Sequence, residues 1–148
     1  MSTIEEIMSK NVLVSKKDTP LNEIINAFLK SKIHHMPIVN SKGALRAIIS
    51  ANDVLEAIHE MDQFAINYNG YSLESRIETK DEMTSAVISI TKEQSIIEAI
   101  DLMVKNNIHA LPVEEDEEVV GIITSNDILK AIYNGQLILT EDDFITSE

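Results

Sequence analysis

The sequence predicts an α+β fold of tandem β-α-β-β-α repeats packed on each other as a pseudo-twofold pair. Three observations carry that expectation. The chain is internally duplicated, each copy runs through the same order of short apolar stretches and amphipathic segments, and 44% of its 148 residues are apolar, enough for a core. Shifting Met8–Pro37 by 75 places it on Met83–Pro112 with matches that include Met8/Met83, Glu23/Glu98, Ile33/Ile108, His34/His109 and Pro37/Pro112. From Ile48 to Ile58 the offset is 74, and Asn52-Asp53 falls on Asn126-Asp127. One residue is therefore lost in the turn between the two blocks. Neither copy buries enough surface to stand alone, so the two are expected to pack together.

Each element has a local reason. The apolar stretches Val12–Val14 and Val87–Ile90 read as short strands. Asp18-Thr19-Pro20 offers a helix cap followed by proline in the first turn, and Ser95-Ile96-Ile97-Glu98 has the form of a capping box. Leu21, Ile24, Ile25, Phe28 and Leu29, like Ile96, Ile97, Ile100, Met103 and Val104, recur at core-facing helical spacing. Hairpins follow at Met36–Val39 with Arg46–Ile49 and at Leu111–Val113 with Val119–Ile123. Second helices are expected near Asn52–Glu60 and Asn126–Tyr133, the latter stopped at Gly135. This divides the chain into a first repeat at 1–60, a linker at 61–80, a second repeat at 81–135 and an acidic tail at 136–148. Phe64, Tyr68 and Tyr71 make the linker greasy, which predicts that it packs on the body or stacks on a bound base.

Composition narrows the function. The net charge of −13 argues against a nucleic-acid duplex as partner. The charge is uneven: residues 1–50 carry a net +3 and residues 51–148 a net −16. No apolar run is long enough to span a membrane, the N-terminus lacks a secretory signal, and cysteine is absent, so a cytoplasmic protein is expected. Four glycines allow no P-loop or dinucleotide fingerprint, and neither G-x-S-x-G nor H-E-x-x-H occurs. No catalytic residue is assigned and an enzyme is not expected. His34, His35 and His59 lack spacing that would aim them at one metal, and Glu114–Glu118 reads as a solvated hairpin turn.

Two segments carry a family resemblance. Ile33-His34-His35-Met36-Pro37-Ile38-Val39 and Ile108-His109-Ala110-Leu111-Pro112-Val113 resemble the strand entry of CBS domains. Gly121-Ile122-Ile123-Thr124-Ser125-Asn126-Asp127, with Ala47-Ile48-Ile49-Ser50-Ala51-Asn52-Asp53 in the first copy, is similar to their strand-to-helix step. The resemblance covers about residues 4–60 and 81–133 and implies a free-standing CBS pair, or Bateman module, that commonly binds adenosine-containing ligands and dimerises.

A hydroxyl three residues before an aspartate at a strand-to-helix step has two readings. Ser50/Asp53 and Thr124/Asp127 can serve only as capping boxes, or the same helix N-terminus can hold phosphate beside the hydroxyl. The resemblance gives Asp53 and Asp127 the ribose hydroxyls, and His34 and His109 the phosphate. His35 adds a second donor in the first copy, where the second has Ala110. Val12–Val14, Met36, Ile38, Ile88, Leu111 and Val113 are expected to offer backbone groups and apolar walls to the base. The implied function is a regulatory sensor of AMP, ADP, ATP or S-adenosylmethionine that needs no cofactor, forms a homodimer and modulates another protein. The alternative is a non-enzymatic dimerisation or interaction module with empty clefts.

Overall fold

The computed structural model describes residues 3–60 and 87–145. The linker expectation at 61–80, its aromatics Phe64, Tyr68 and Tyr71, and Met83 lie outside these residues. The elements are α1 (Ile4–Ile7), α2 (Leu21–Ser31), β1 (His35–Val39), β2 (Leu45–Ser50) and α3 (Ala51–Glu60), then β3 (Ile90–Thr91), α4 (Ile96–Asn106), β4 (Ala110–Glu115), β5 (Glu118–Thr124), α5 (Ser125–Tyr133) and α6 (Glu141–Ile145). They form two compact units. One is Leu13–Val87 and the other joins Met1–Val12 to Ile88–Glu148, each within its described residues. They are called the N-terminal and C-terminal units below.

The same order of elements recurs in both units, and so does the sheet detail. β1 pairs antiparallel with β2 through Met36↔Ile49 and Pro37↔Ile48. β4 pairs antiparallel with β5 through Leu111↔Ile123 and Pro112↔Ile122. The register shifts between Ile38 and Val39 in one hairpin and between Val113 and Glu114, the equivalent pair, in the other. The hairpin loops explain the change of offset. Five residues separate the partners Val39 and Leu45, but only four separate Glu114 and Val119. In the longer loop Asn40 Oδ1 accepts from the Lys42 and Ala44 amides at 2.9 and 3.0 Å, and Gly43 takes φ 85°.

Where the first strand of each repeat was expected, little strand forms. Val12–Val14 is not a strand; in the N-terminal unit only Ser15 bridges Ile38 in parallel, donating to Pro37 O at 3.1 Å and accepting from Val39 at 2.8 Å. A turn follows at once, with the Lys16 amide donating to Thr19 Oγ1 at 3.1 Å, so the ladder cannot extend. That bond holds Thr19 ahead of the helix, and Pro20 becomes the N-cap of α2, without a side-chain cap. In the C-terminal unit β3 pairs in parallel with β4 at Ile90↔Val113 and Thr91↔Glu114. Ser95 caps α4 through Glu98 N at 3.1 Å, but Glu98 Oε2 accepts from Gln94 Nε2 at 2.7 Å instead of closing a box.

Each unit has its own core. Leu21, Ile24 and Phe28 of α2 pack with Met36, Ile38, Ala47, Ile49, Val54 and Ala57. Ile96, Ala99 and Met103 of α4 pack with Ile90, Leu111, Val113, Ile123, Ile128 and Ala131. Leu29 and Val104, read from spacing as core-facing, are instead both 74% exposed. They sit one residue past Phe28 and Met103, about 100° around the helix, and only one apolar stripe per helix finds a partner within its unit.

The packing units do not follow the repeat boundaries. Ile4 is fully buried in the core of the C-terminal unit, and Ser9 exchanges backbone bonds of 2.9 and 3.0 Å with Ile122 on β5. A Cβ on Gly121 would come within 2.4 Å of Met8 Sδ, so glycine there makes room for the methionine. The described residues of the tail also have structure. Gly135, at φ 75°, stops α5 as expected, but Leu137 is 1% exposed in the core, and ahead of α6 the Thr140 amide donates to Asp143 Oδ2 at 2.7 Å.

The acidic hairpin narrows to a two-residue turn at Asp116-Glu117, with φ of 52° and 67°. Its neighbours are tied down: Ser89 Oγ donates to Glu114 Oε2 at 2.6 Å, and Lys92 pairs with Glu115 at 2.8 Å. The hydrogen bond to Glu115 holds the Lys92 ammonium above its usual pKa. A raised lysine stabilises the fold at and below neutral pH and loses that contribution as alkali deprotonates it.

Three outcomes follow from this packing. Ile4→Ala removes a fully buried side chain and should cost about 2–5 kcal/mol in denaturant unfolding. Gly121→Ala obliges the flexible end of Met8 to swing aside and should cost up to about 1 kcal/mol, and less in a Met8→Ala background, which a double-mutant cycle reads. Glu117→Gly relieves a left-handed strain of about 1–2 kcal/mol against a backbone-entropy cost of about 0.4–1 kcal/mol. The net should be a gain in melting temperature of a few degrees.

Candidate functional site

The two strand-to-helix steps are built alike. In the N-terminal unit the Ser50 amide donates to Asp53 Oδ2 at 2.7 Å and the Asp53 amide donates to Ser50 Oγ at 3.1 Å. In the C-terminal unit the Thr124 amide donates to Asp127 Oδ2 at 2.9 Å and the Asp127 amide to Thr124 Oγ1 at 3.1 Å. Both steps are thus closed capping boxes, formed because a short hydroxyl and a short carboxylate three residues apart satisfy two orphan amides at a helix start. The four side chains are half-buried.

The boxes leave acceptor capacity unused. Only Oδ2 of each aspartate is bonded; Oδ1 of Asp53 and of Asp127 takes no hydrogen bond from the described residues. A carboxylate has about four lone-pair sites, so capping and accepting from a diol do not compete. The capping reading and the ligand reading of the sequence are therefore compatible in one geometry.

Backbone bonds bring the histidines to the same places. Ala51, the first residue of α3, donates to His34 O at 2.8 Å, and Ser125, the first of α5, donates to His109 O at 2.8 Å. Both imidazoles are exposed. His35 is half-buried and directly opposite Ser50 across the hairpin, whereas the equivalent partner of Thr124 is the buried Ala110. Among the described residues no cluster of three or more histidine or acidic side chains has the arrangement of a metal site.

The apolar residues assigned to a base are placed differently. Met36 is 1% exposed and Ile38, Leu111 and Val113 are fully buried, so their side chains are committed to the two cores. Only their strand backbone lies near the capped helix starts. Val12 is half-buried and belongs to the C-terminal unit, whereas His34, His35, Ser50 and Asp53 belong to the N-terminal unit. Leu13 and Val14, by contrast, keep 42% and 44% exposure.

Sequence reasoning did not single out Lys32 and Asn107, two residues before the histidines. Both cap their helices in the left-handed conformation, at φ 54° and 51°, and so set the direction in which the chain turns toward His34 and His109. Asn107 carries the usual signal for such a position; a lysine carries none.

Comparison with known proteins agrees with this architecture. The family model for the CBS domain matches twice, at residues 4–60 and 78–134. MJ1426, an uncharacterized protein of Methanocaldococcus jannaschii, is 34% identical over 152 residues, covering 87% of this chain and 90% of its own. Inosine-5′-monophosphate dehydrogenase of the same organism is 31% identical over 127 residues; the match takes in 85% of this chain but only 23% of the enzyme. The CBS domain pair of protein MJ0100, solved in complex with 5′-methylthioadenosine and S-adenosyl-L-methionine, superposes with a TM-score of 0.77 at 26% identity, covering 93% of this chain and 99% of that one. With its duplicated fold and paired capped steps, the chain belongs to the CBS domain family and is a tandem CBS pair.

Proposed function

We propose that the chain is a cytoplasmic regulatory module that binds an adenosine-containing ligand, among AMP, ADP, ATP and S-adenosylmethionine, and through it modulates another protein without catalysing a reaction. The observation that carries this reading is the unused Oδ1 of Asp53 and Asp127, held at a capped helix start beside an exposed histidine in each unit. Such a carboxylate suits the two hydroxyls of a ribose, and the helix start with its neighbouring imidazole suits a phosphate or another polar appendage. The likeness to a CBS pair complexed with two adenosine compounds supports the class of ligand. Exposed apolar residues on the helices of both units support a homodimer.

One observation favours a second reading. With Met36, Ile38, Leu111 and Val113 buried, the apolar side chains left to meet a base are few, among them Leu13 and Val14 at 42% and 44% exposure. An interaction module with empty clefts would need none.

A thermal melt followed by circular dichroism separates the two. AMP, ATP or S-adenosylmethionine, at about a hundredfold excess over its dissociation constant, should stabilise the folded state by roughly 2.7 kcal/mol. Asp53→Ala and Asp127→Ala should each lower the baseline stability by about 1 kcal/mol by opening a capping box. The ligand-induced increment, not the baseline, is therefore the reading, and the variants should shrink it. A protein free of bound nucleotide that melts identically with all three compounds favours the interaction module.

A further inference from the structure

The duplication lets the surroundings of the two candidate sites be compared position by position, and three exchanges run in one direction. The first lies across each hairpin. Residues directly opposite on antiparallel strands hold their side chains on one face, with Cβ atoms about 4.5–5.5 Å apart. His35 is opposite Ser50, so an imidazole stands beside the helix start of the N-terminal unit. Ala110, opposite Thr124, gives the C-terminal unit only a buried methyl group. The second exchange is at the helix caps, where the exposed Lys32 has Asn107 as its equivalent. The third lies within the last turns of the same helices. Lys105 on α4 is paired with Asp101 at 3.1 Å, but the equivalent of Asp101 on α2 is Asn26, and Lys30 has no ion pair among the described residues.

Each exchange leaves more positive charge, or more donors, around Asp53 than around Asp127. One runs the other way, Glu56 against Lys130, but it lies a turn further along the helix, where Glu56 Oε1 accepts from Asn52 Nδ2 at 3.1 Å. The wider charge sharpens the contrast. Among the described residues the N-terminal unit carries six basic and five acidic side chains, a net +1. The C-terminal unit carries four basic and fourteen acidic ones, a net −10. A phosphate at the helix start of Asp127 would meet one exposed imidazole in an acidic field. At Asp53 it would meet two imidazoles, with Lys30 and Lys32 on the adjoining turn.

We infer that the two sites select ligands by the charge of what the adenosine carries. The site at Asp53 takes an adenosine bearing a 5′-phosphate, and the site at Asp127 takes one whose appendage is uncharged or cationic, such as a thioether or a sulfonium. Lys32 and His35 set the difference. This rests on the adenosine-ligand reading above and adds which class of ligand each site takes.

Calorimetric titration of the nucleotide-free chain with AMP and with 5′-methylthioadenosine, the same nucleoside without the phosphate, tests it. Asp127→Ala, which leaves the site at Asp53, should bind AMP more tightly than 5′-methylthioadenosine, and Asp53→Ala should show the reverse order. In the Asp127→Ala background, Lys32→Asn with His35→Ala should weaken AMP about tenfold, the loss of roughly one charge-assisted hydrogen bond, and leave 5′-methylthioadenosine unchanged. An Asp53→Ala chain that prefers AMP or binds neither compound, or a Lys32→Asn, His35→Ala pair that weakens both compounds equally, overturns the charge selection and leaves the adenosine reading standing. Failure of AMP, 5′-methylthioadenosine and S-adenosylmethionine alike to bind the unsubstituted chain overturns both. Should an aspartate variant fail to fold, Lys32→Asn with His35→Ala in the otherwise unsubstituted chain carries the test, since both capping boxes stay closed and asparagine suits the left-handed cap.

Discussion

Everything described at the two candidate sites depends on one reciprocal pair of hydrogen bonds at each strand-to-helix step. The hydroxyl of Ser50 or Thr124 serves the amide of the aspartate, and one oxygen of Asp53 or Asp127 serves the amide of the hydroxyl residue. This fixes where the strand ends and the helix begins. It also sets the orientation of the second carboxylate oxygen, and it places the first helical amide to donate to the carbonyl of His34 or His109. Stability and binding chemistry are therefore coupled at the same atoms, which is why a variant there has to be judged by its response to ligand.

A second constraint is that a repeat in sequence is not a unit of packing. Residues 3–12 precede the first repeat's own helix, yet Ile4 and Met8 are used by the core and sheet of the C-terminal unit. The difference between Gly121 and its equivalent Ala47 records this. On β5 the glycine leaves space for Met8, whereas on β2 the alanine is itself part of the core. Deleting the first residues of the chain would consequently damage the unit farthest from them in sequence.

The units have also diverged around a common geometry. Capping distances and helix-to-histidine bonds agree within a few tenths of an ångström, while His35 is replaced by Ala110 and Lys32 by Asn107. The hairpin turn of the C-terminal unit holds two non-glycine residues at positive φ, and the other uses Asn40 and Gly43. The capped steps and the histidine carbonyl bonds are thus duplicated, while core positions such as Met36/Leu111 and Ile38/Val113 exchange one apolar side chain for another.

The duplication, the order of elements, both hairpins, the capped steps at Ser50/Asp53 and Thr124/Asp127, and the stop at Gly135 are all legible in the residues alone. Each is a local matter, set by spacing and by hydrogen bonds between residues a few positions apart. The remaining features depend on long-range packing. Periodicity groups Leu29 with Leu21, Ile24 and Phe28, but which stripe is buried depends on the strands a helix meets. Nothing near Ile4, Met8 or Leu137 in sequence announces that each is used by a core assembled more than eighty residues away or, for Leu137, past the end of the last repeat helix. In the same way, alternation along β1 and β4 showed Met36, Ile38, Leu111 and Val113 to be apolar strand residues. That their side chains fill the cores, rather than a ligand cleft, follows from long-range contacts that no short window of sequence contains.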